Sequence, residues 1–295
     1  MFAMSFPFRF EHKPIVVVRN RHGNCDRQPV RTTVEDALSL TKQTDFVERS
    51  SIVRRIWGDP DLVLLIFAGS AAEFALNRSV DWLFFTGEIP RDPIGRLFST
   101  VRYAQDIVFV DEEKALRTLD RINAQHSHVE NERQQTIPDW AYRDVLYMLI
   151  DYSERAHELL YRPLSNLQKA DLFAVFRRIG EGLHVTQLPK TYSEWQVDRQ
   201  RHLLRDLCYG KYTAMLFQSY RRHLGLLRYQ LLLQVQALLV PQHVRRLLHL
   251  QPNLIISGLV DTYGLVSSLG LQSLVHGLLI PPRHWDDVRK FDRRI

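Results

Sequence analysis

A chain of 295 residues with 45% hydrophobic and 24% charged residues has enough apolar material for one large globular domain, and too much for a disordered chain. Its net charge of +6 comes from 39 basic residues dispersed among 33 acidic ones with no long basic run, which gives no footprint for nucleic acid. Only Cys25 and Cys208 are present, so a disulfide framework and a cysteine-based zinc or iron-sulfur site are excluded, and a reducing, cytoplasmic setting fits.

In chain order, His12 to Glu35 has a short β-branched run at Ile15–Val18, then Gly23, Asn24 and Pro29 among scattered arginines, and reads as an irregular arm. The N-terminus lacks a basic stretch followed by a long apolar core, so it does not read as a signal peptide. Beyond the arm the period is helical. Asp59-Pro60 and Asp92-Pro93 each set a capping acceptor before a proline whose missing N–H costs nothing at the first helical position, which predicts two helix starts. Leu116, Leu119, Ile122, His126 and Val129 recur at steps of three and four and predict one buried stripe. Trp140 to Leu160 predicts a long helix with Tyr142, Val145, Leu149, Tyr152, Ala156 and Leu159 facing inward. Ser165-x-x-Gln168 and Thr191-x-x-Glu194 have capping-box spacing and mark two further starts. Leu254 to Ile280 is nearly uncharged but contains Asp261, His276 and Gly258, Gly264, Gly270 and Gly277 between prolines. It reads as a buried or interfacial helical hairpin capable of peripheral membrane contact rather than a span. The expected architecture is all-α, a single helical bundle over residues 46–295 preceded by an irregular arm over residues 1–45, with no internal repeat and no linker.

Two patterns carry candidate chemistry. On the helix after Asp92, Arg96, Thr100 and Tyr103 share one face while Leu97, Val101, Ala104 and Val108 share its neighbour. That arrangement serves a buried ligand, or else a salt bridge for Arg96 and a back-bond from Thr100 to its own helix. On the next helix, positions two apart are separated by about 200°, so His126 faces inward and His128 outward. An inward imidazole is either a hydrogen-bonded core histidine or a metal ligand. A second metal pattern is the pair Glu154-x-x-His157 and Glu181-x-x-His184, at the spacing of di-iron carboxylate bundles. Such bundles also need glutamates from two further helices, and Gly180 and Gly182 suggest that a helix ends at the second motif.

Taken together, Asp92-Pro93-x-Gly95-Arg96-x-x-x-Thr100-x-Arg102-Tyr103, the acidic turn Asp111-Glu112-Glu113 and Arg121-x-x-x-x-His126-x-x-Val129 resemble the MpaB and latex-clearing-protein group of haem b oxygenases. Pro138-Asp139, Asp151-Tyr152-Ser153, Pro163-Leu164-Ser165, Gly180-Glu181-Gly182-Leu183-His184-Val185 and Leu188-Pro189-Lys190-Thr191 follow in the order of that group's landmarks. The resemblance implies a haem pocket in the bundle, His126 as proximal iron ligand, and Arg96, Thr100 and Tyr103 beside the haem. It further implies an enzyme that uses dioxygen on a hydrophobic, isoprenoid-like alkene, with oxidative cleavage of the double bond as one outcome. Two departures are visible. Ser99 stands where some relatives carry a lysine that caps the iron, and Phe67-Ala68-Gly69-Ser70 replaces an alanine-histidine-proline sequence. Glu73, Asp81 and Glu88 lie where the rubber-cleaving relatives carry an acidic base. The competing expectations are a non-catalytic helical protein that binds a partner or membrane, and a di-iron oxidase built on the two Glu-x-x-His pairs.

Overall fold

The structure is a computed structural model that describes residues 44–85, 93–253, 286 and 292–293. The arm, Asp92, Glu88 and the 254–280 segment, and with it the expected membrane contact, lie outside the described residues. Within them the fold is all-α. Two isolated bridges, Asp45 with Asp111 and Asn77 with Leu207, are the only extended pairings among the described residues. The helices are α1 (Ile52–Gly58), α2 (Pro60–Phe74), α3 (Val80–Phe85), α4 (Pro93–Val108), α5 (Glu112–Arg133), α6 (Asp139–Leu160), α7 (Asn166–Gly182), α8 (Tyr192–Asp206), α9 (Lys211–Leu239) and α10 (Gln242–Leu247). None of them is long and apolar enough to cross a membrane.

The helix starts follow from their caps. Asp59 accepts the amide of Asp61 at 2.9 Å ahead of Pro60, and α4 begins at Pro93. Ser165 and Gln168 close a full capping box, with Ser165 Oγ accepting the Gln168 amide and Gln168 Oε1 accepting the Ser165 amide. At α8, Thr191 accepts the Glu194 amide, but Glu194 reaches one residue further back, to the amide of Lys190 at 2.8 Å.

The core is centred on α2 and α6. α2 is apolar nearly all round and buries Leu62, Val63, Ile66, Phe67 and Ala72, as a helix surrounded by others must. Gly69 faces the Tyr152 ring so closely that a Cβ there would overlap the ring carbons, which fixes how tightly α2 lies on α6. Helix α6 has no single inner face. Tyr152 and Ala156 are fully buried as expected, but Val145 is 40% exposed, and Asp144, Tyr147 and Asp151 are buried instead because α8 supplies their partners. Along that seam Asp144 pairs with His202, Tyr147 donates to Asp198 at 2.8 Å, Asp151 accepts from Arg199 at 2.9 Å, and Tyr192 donates to Glu154 at 2.6 Å. Partner numbers drop from 202 to 192 between the first and last rungs as α6 is climbed from 144 to 154, so the two helices run antiparallel on a ladder of polar rungs.

The stripe on α5 also differs from expectation. Leu119 is buried and Ile122, His126 and Val129 are half-buried, but Leu116 is 47% exposed and Ala115 and Thr118 are buried in its stead. Each three-residue step falls short of a full turn by about 60°, so two such steps carry Leu116 about 120° away from Ile122.

Candidate active site

α4 and α5 share the apolar core through Val101, Val108, Ala115 and Leu119, and a hydrogen bond from Gln125 Nε2 to the Tyr103 hydroxyl at 2.7 Å joins their polar sides. The N-terminus of α5 is fixed by Asp111, which accepts the Lys114 amide, and its middle is tied to the end of α7 by Asn123, which donates to the Gly182 carbonyl at 3.0 Å. Leu119 packs where a Cβ on Gly182 would otherwise stand. At its far end Arg133 pairs with Asp81 at 2.6 Å and lies over the Trp82 ring, which ties α5 to α3.

Between these anchors His126 is half-buried and packs edge-on against Tyr142 of α6, with ring centroids 5.0 Å apart. Burial, helped by the nearby Arg96 guanidinium, pushes its pKa below 6.5, and Glu130 opposes the shift only in part. The imidazole is therefore neutral near pH 7, and neither ring nitrogen has a hydrogen-bond partner among the described residues. Its neighbour is held separately: Glu130 accepts the Ile137 amide at 2.8 Å and stands 3.5 Å from the Tyr142 hydroxyl. Burial raises the Tyr142 phenol, so this ring stays protonated and offers an apolar wall with a neutral tip. His128 points outward and pairs with Glu132 at 3.4 Å.

On α4, Arg96 is exposed, and its charge reaches His126. Thr100 Oγ1 donates to the Arg96 carbonyl at 3.1 Å, and Ser99 Oγ donates to the same carbonyl at 2.8 Å, so both hydroxyls back-bond to their own helix. Of the acidic candidates, Glu73 is 1% exposed and bound by both Arg199 nitrogens at 2.6 Å and by the Tyr152 hydroxyl at 2.9 Å. It is a structural counter-ion. Asp81 is taken by Arg133.

The two Glu-x-x-His pairs are not brought together. Glu154 holds Lys169 and Tyr192, while His157 stacks on Tyr161. Glu181 pairs with Arg177 at 2.8 Å, and His184 is exposed just past the end of α7. The group among the described residues whose atoms could hold a metal is instead Asp144, His202 and Asp206, all buried. Its signal was present as Asp198-x-x-x-His202-x-x-x-Asp206, three ligand-type residues one turn apart on one face of α8.

A family model described as ER-bound oxygenase mpaB/B'/Rubber oxygenase, catalytic domain, matches residues 54–261. No curated protein and no solved structure matches the chain. The matched stretch contains α2 to α10 whole, with Arg96, Thr100, Tyr103 and His126 inside it, and the chain accordingly belongs to the mpaB and rubber oxygenase catalytic-domain family.

Proposed function

We propose that the protein is a haem b-dependent oxygenase that uses dioxygen on a hydrophobic, unsaturated small molecule, with His126 as the iron ligand. The observation that carries this reading is the state of His126: a half-buried, neutral imidazole with no hydrogen-bond partner among the described residues, set in a chain of an oxygenase family. A neutral nitrogen with a free lone pair is what an iron requires of histidine. The residues around it fit a haem. Tyr142 supplies an apolar edge that limits rotation of the imidazole, and Arg96 supplies a cation near the histidine, suited to a propionate or to negative charge developing on the substrate. Bound haem would contribute redox-active iron, and the protein's part is to hold and orient it.

Thr100 and Tyr103 belong to this proposal in different degrees. The Thr100 hydroxyl has its proton committed to the Arg96 carbonyl and keeps both oxygen lone pairs, so it can accept a hydrogen bond from a ligand while keeping its own donor bond. Tyr103 accepts from Gln125 and keeps its own proton available to donate. The test is direct. Protein purified from haem-supplemented cells should show a Soret band, and His126→Ala should lose it while keeping its helical circular dichroism. A colourless wild-type protein after such supplementation, or a His126→Ala variant with an unchanged spectrum, would overturn the assignment.

A further inference from the structure

The polar seam between α6 and α8 ends in a cluster that the haem reading does not use. Asp144, His202 and Asp206 are each 3% exposed, and one ligand atom from each lies within 4.8 Å of the others. His202 Nδ1 touches Asp144 Oδ1 and stands 3.3 Å from Asp206 Oδ2. We propose that these three residues bind a divalent transition-metal ion of the zinc or manganese class, separate from His126, and that the ion clamps α6 to α8.

Three features favour an ion over a plain hydrogen-bonded knot. Two carboxylate oxygens converge on one ring nitrogen that can carry only one proton, whereas a cation among them serves all three. The second oxygen of each carboxylate is already held by another group, as in built metal sites. Asn77 donates to Asp144 Oδ2 at 2.6 Å, and its amide is oriented because its oxygen accepts the Ser79 amide at 2.8 Å. Arg205 donates through Nε to Asp206 Oδ1 at 2.8 Å and through its terminal nitrogen to Oδ2 at 2.5 Å. His202 Nε2 lies 3.6 Å from Asp198 Oδ2 and 3.5 Å from the Arg205 guanidinium, and Tyr147 also donates to that Asp198 oxygen.

Charge is the third feature. The two buried carboxylates are offset by one guanidinium, Arg205, which is itself half exposed, while Asp198 at the rim is paired by Arg201 at 2.9 Å. One half-exposed guanidinium for two buried carboxylates leaves this end of the seam open to a further cation. One nitrogen and two carboxylate oxygens suit zinc or manganese, and three protein ligands leave a coordination position for water. Asn77 also connects the clamp to the turn after α2, where the Cys208 amide donates to the Leu76 carbonyl at 2.8 Å, so the ion would sit where three chain segments meet.

The experiment is metal analysis of the purified full chain, with haem iron measured separately by its pyridine complex. About one zinc or manganese per chain should survive desalting. Dialysis against EDTA should lower the melting temperature, and adding Zn2+ or Mn2+ alone should restore it. Asp206→Asn and His202→Gln should weaken Zn2+ binding by about tenfold or more, while Cys208→Ser should leave it unchanged. The proposal falls if neither ion binds the EDTA-treated wild type or raises its melting temperature, or if the Asp206 and His202 variants bind Zn2+ as tightly as wild type. Should those variants fail to fold, the wild-type removal and re-addition cycle still decides. The outcome is independent of the haem assignment, since the Soret band reads one site and non-haem metal the other.

Discussion

At the scale of single residues, the tightest constraint is charge burial at Arg199. It is 3% exposed and bridges Glu73 at 1% and Asp151 at 8%, thereby tying α8 to α2 and α6. Burial alone would raise the Asp151 carboxyl, but the Arg199 and Arg155 guanidiniums outweigh it and hold the group below the usual carboxylate range. Arg199→Met removes the cation, leaving Glu73 with only the Tyr152 hydroxyl and Asp151 with only Arg155, which costs about 3–5 kcal/mol by the usual penalty for breaking a buried pair. Urea unfolding monitored by circular dichroism measures it, and a loss below about 1 kcal/mol would mean that the network is no stronger than a surface pair. Gly69→Ala tests packing instead of charge. The new methyl would enter the Tyr152 ring, and displacing a fully buried aromatic should destabilise the fold by about 1–3 kcal/mol. Shrinking the ring in Gly69→Ala/Tyr152→Leu should recover part of that loss, less the cost of leaving Glu73 without the tyrosine hydroxyl.

At the scale of elements, the helix caps were legible because capping is local: Ser165 with Gln168 and Asp59 before Pro60 need only their own neighbours to act. Ser165→Ala removes one half of a complete capping box and should lower stability by about 1 kcal/mol, read as a shift in the urea midpoint with the slope unchanged. Position within the bundle was less legible. Leu116 belongs to an apolar spacing yet has rotated out of the buried stripe, and Val145 shares an apolar face with Tyr152 yet remains exposed. The rungs between α6 and α8 were not read at all, because Asp144, Asp151, Arg199 and His202 look like solvated polar residues until the opposite helix is known. That His126 turns inward and His128 outward was legible because a phase difference of about 200° is large enough to survive such drift. The break in α9 is a further element-level feature that spacing hid. Gly225 at φ 76 and ψ 169 divides the helix in a backbone region open essentially to glycine alone. No atom crowds its missing Cβ, so Gly225→Ala should cost about 1–3 kcal/mol from backbone strain, without a steric clash.

At the scale of the whole molecule, the titrating groups divide into two sets that predict how stability follows pH. His126 and His157 both lie below their ordinary value of 6.5: burial is the main cause in each, joined by Arg96 for the first and Arg55 for the second. The unfolded chain takes up these protons near pH 6.5 while the folded chain refuses them until a lower pH. Their contribution is therefore complete above about pH 6.5 and declines as pH falls toward the folded values. Asp45, Asp111 and Asp151 lie below their ordinary value of 3.8, through Arg49, Lys114 and the Arg199–Arg155 pair respectively. Their contribution is present above pH 3.8 and is lost as pH falls through the folded values. Melting temperature in purified protein without added cofactor should thus be level above neutrality, decline first below pH 6.5, and decline again below pH 4. His157→Gln, which removes one proton acceptor without touching His126, should make the first decline shallower and leave the second in place. A melting temperature that stays constant from pH 7 to pH 5, or a first decline that His157→Gln does not change, would show that these imidazoles are solvated in the folded chain and that the helices around them open more readily than their packing implies.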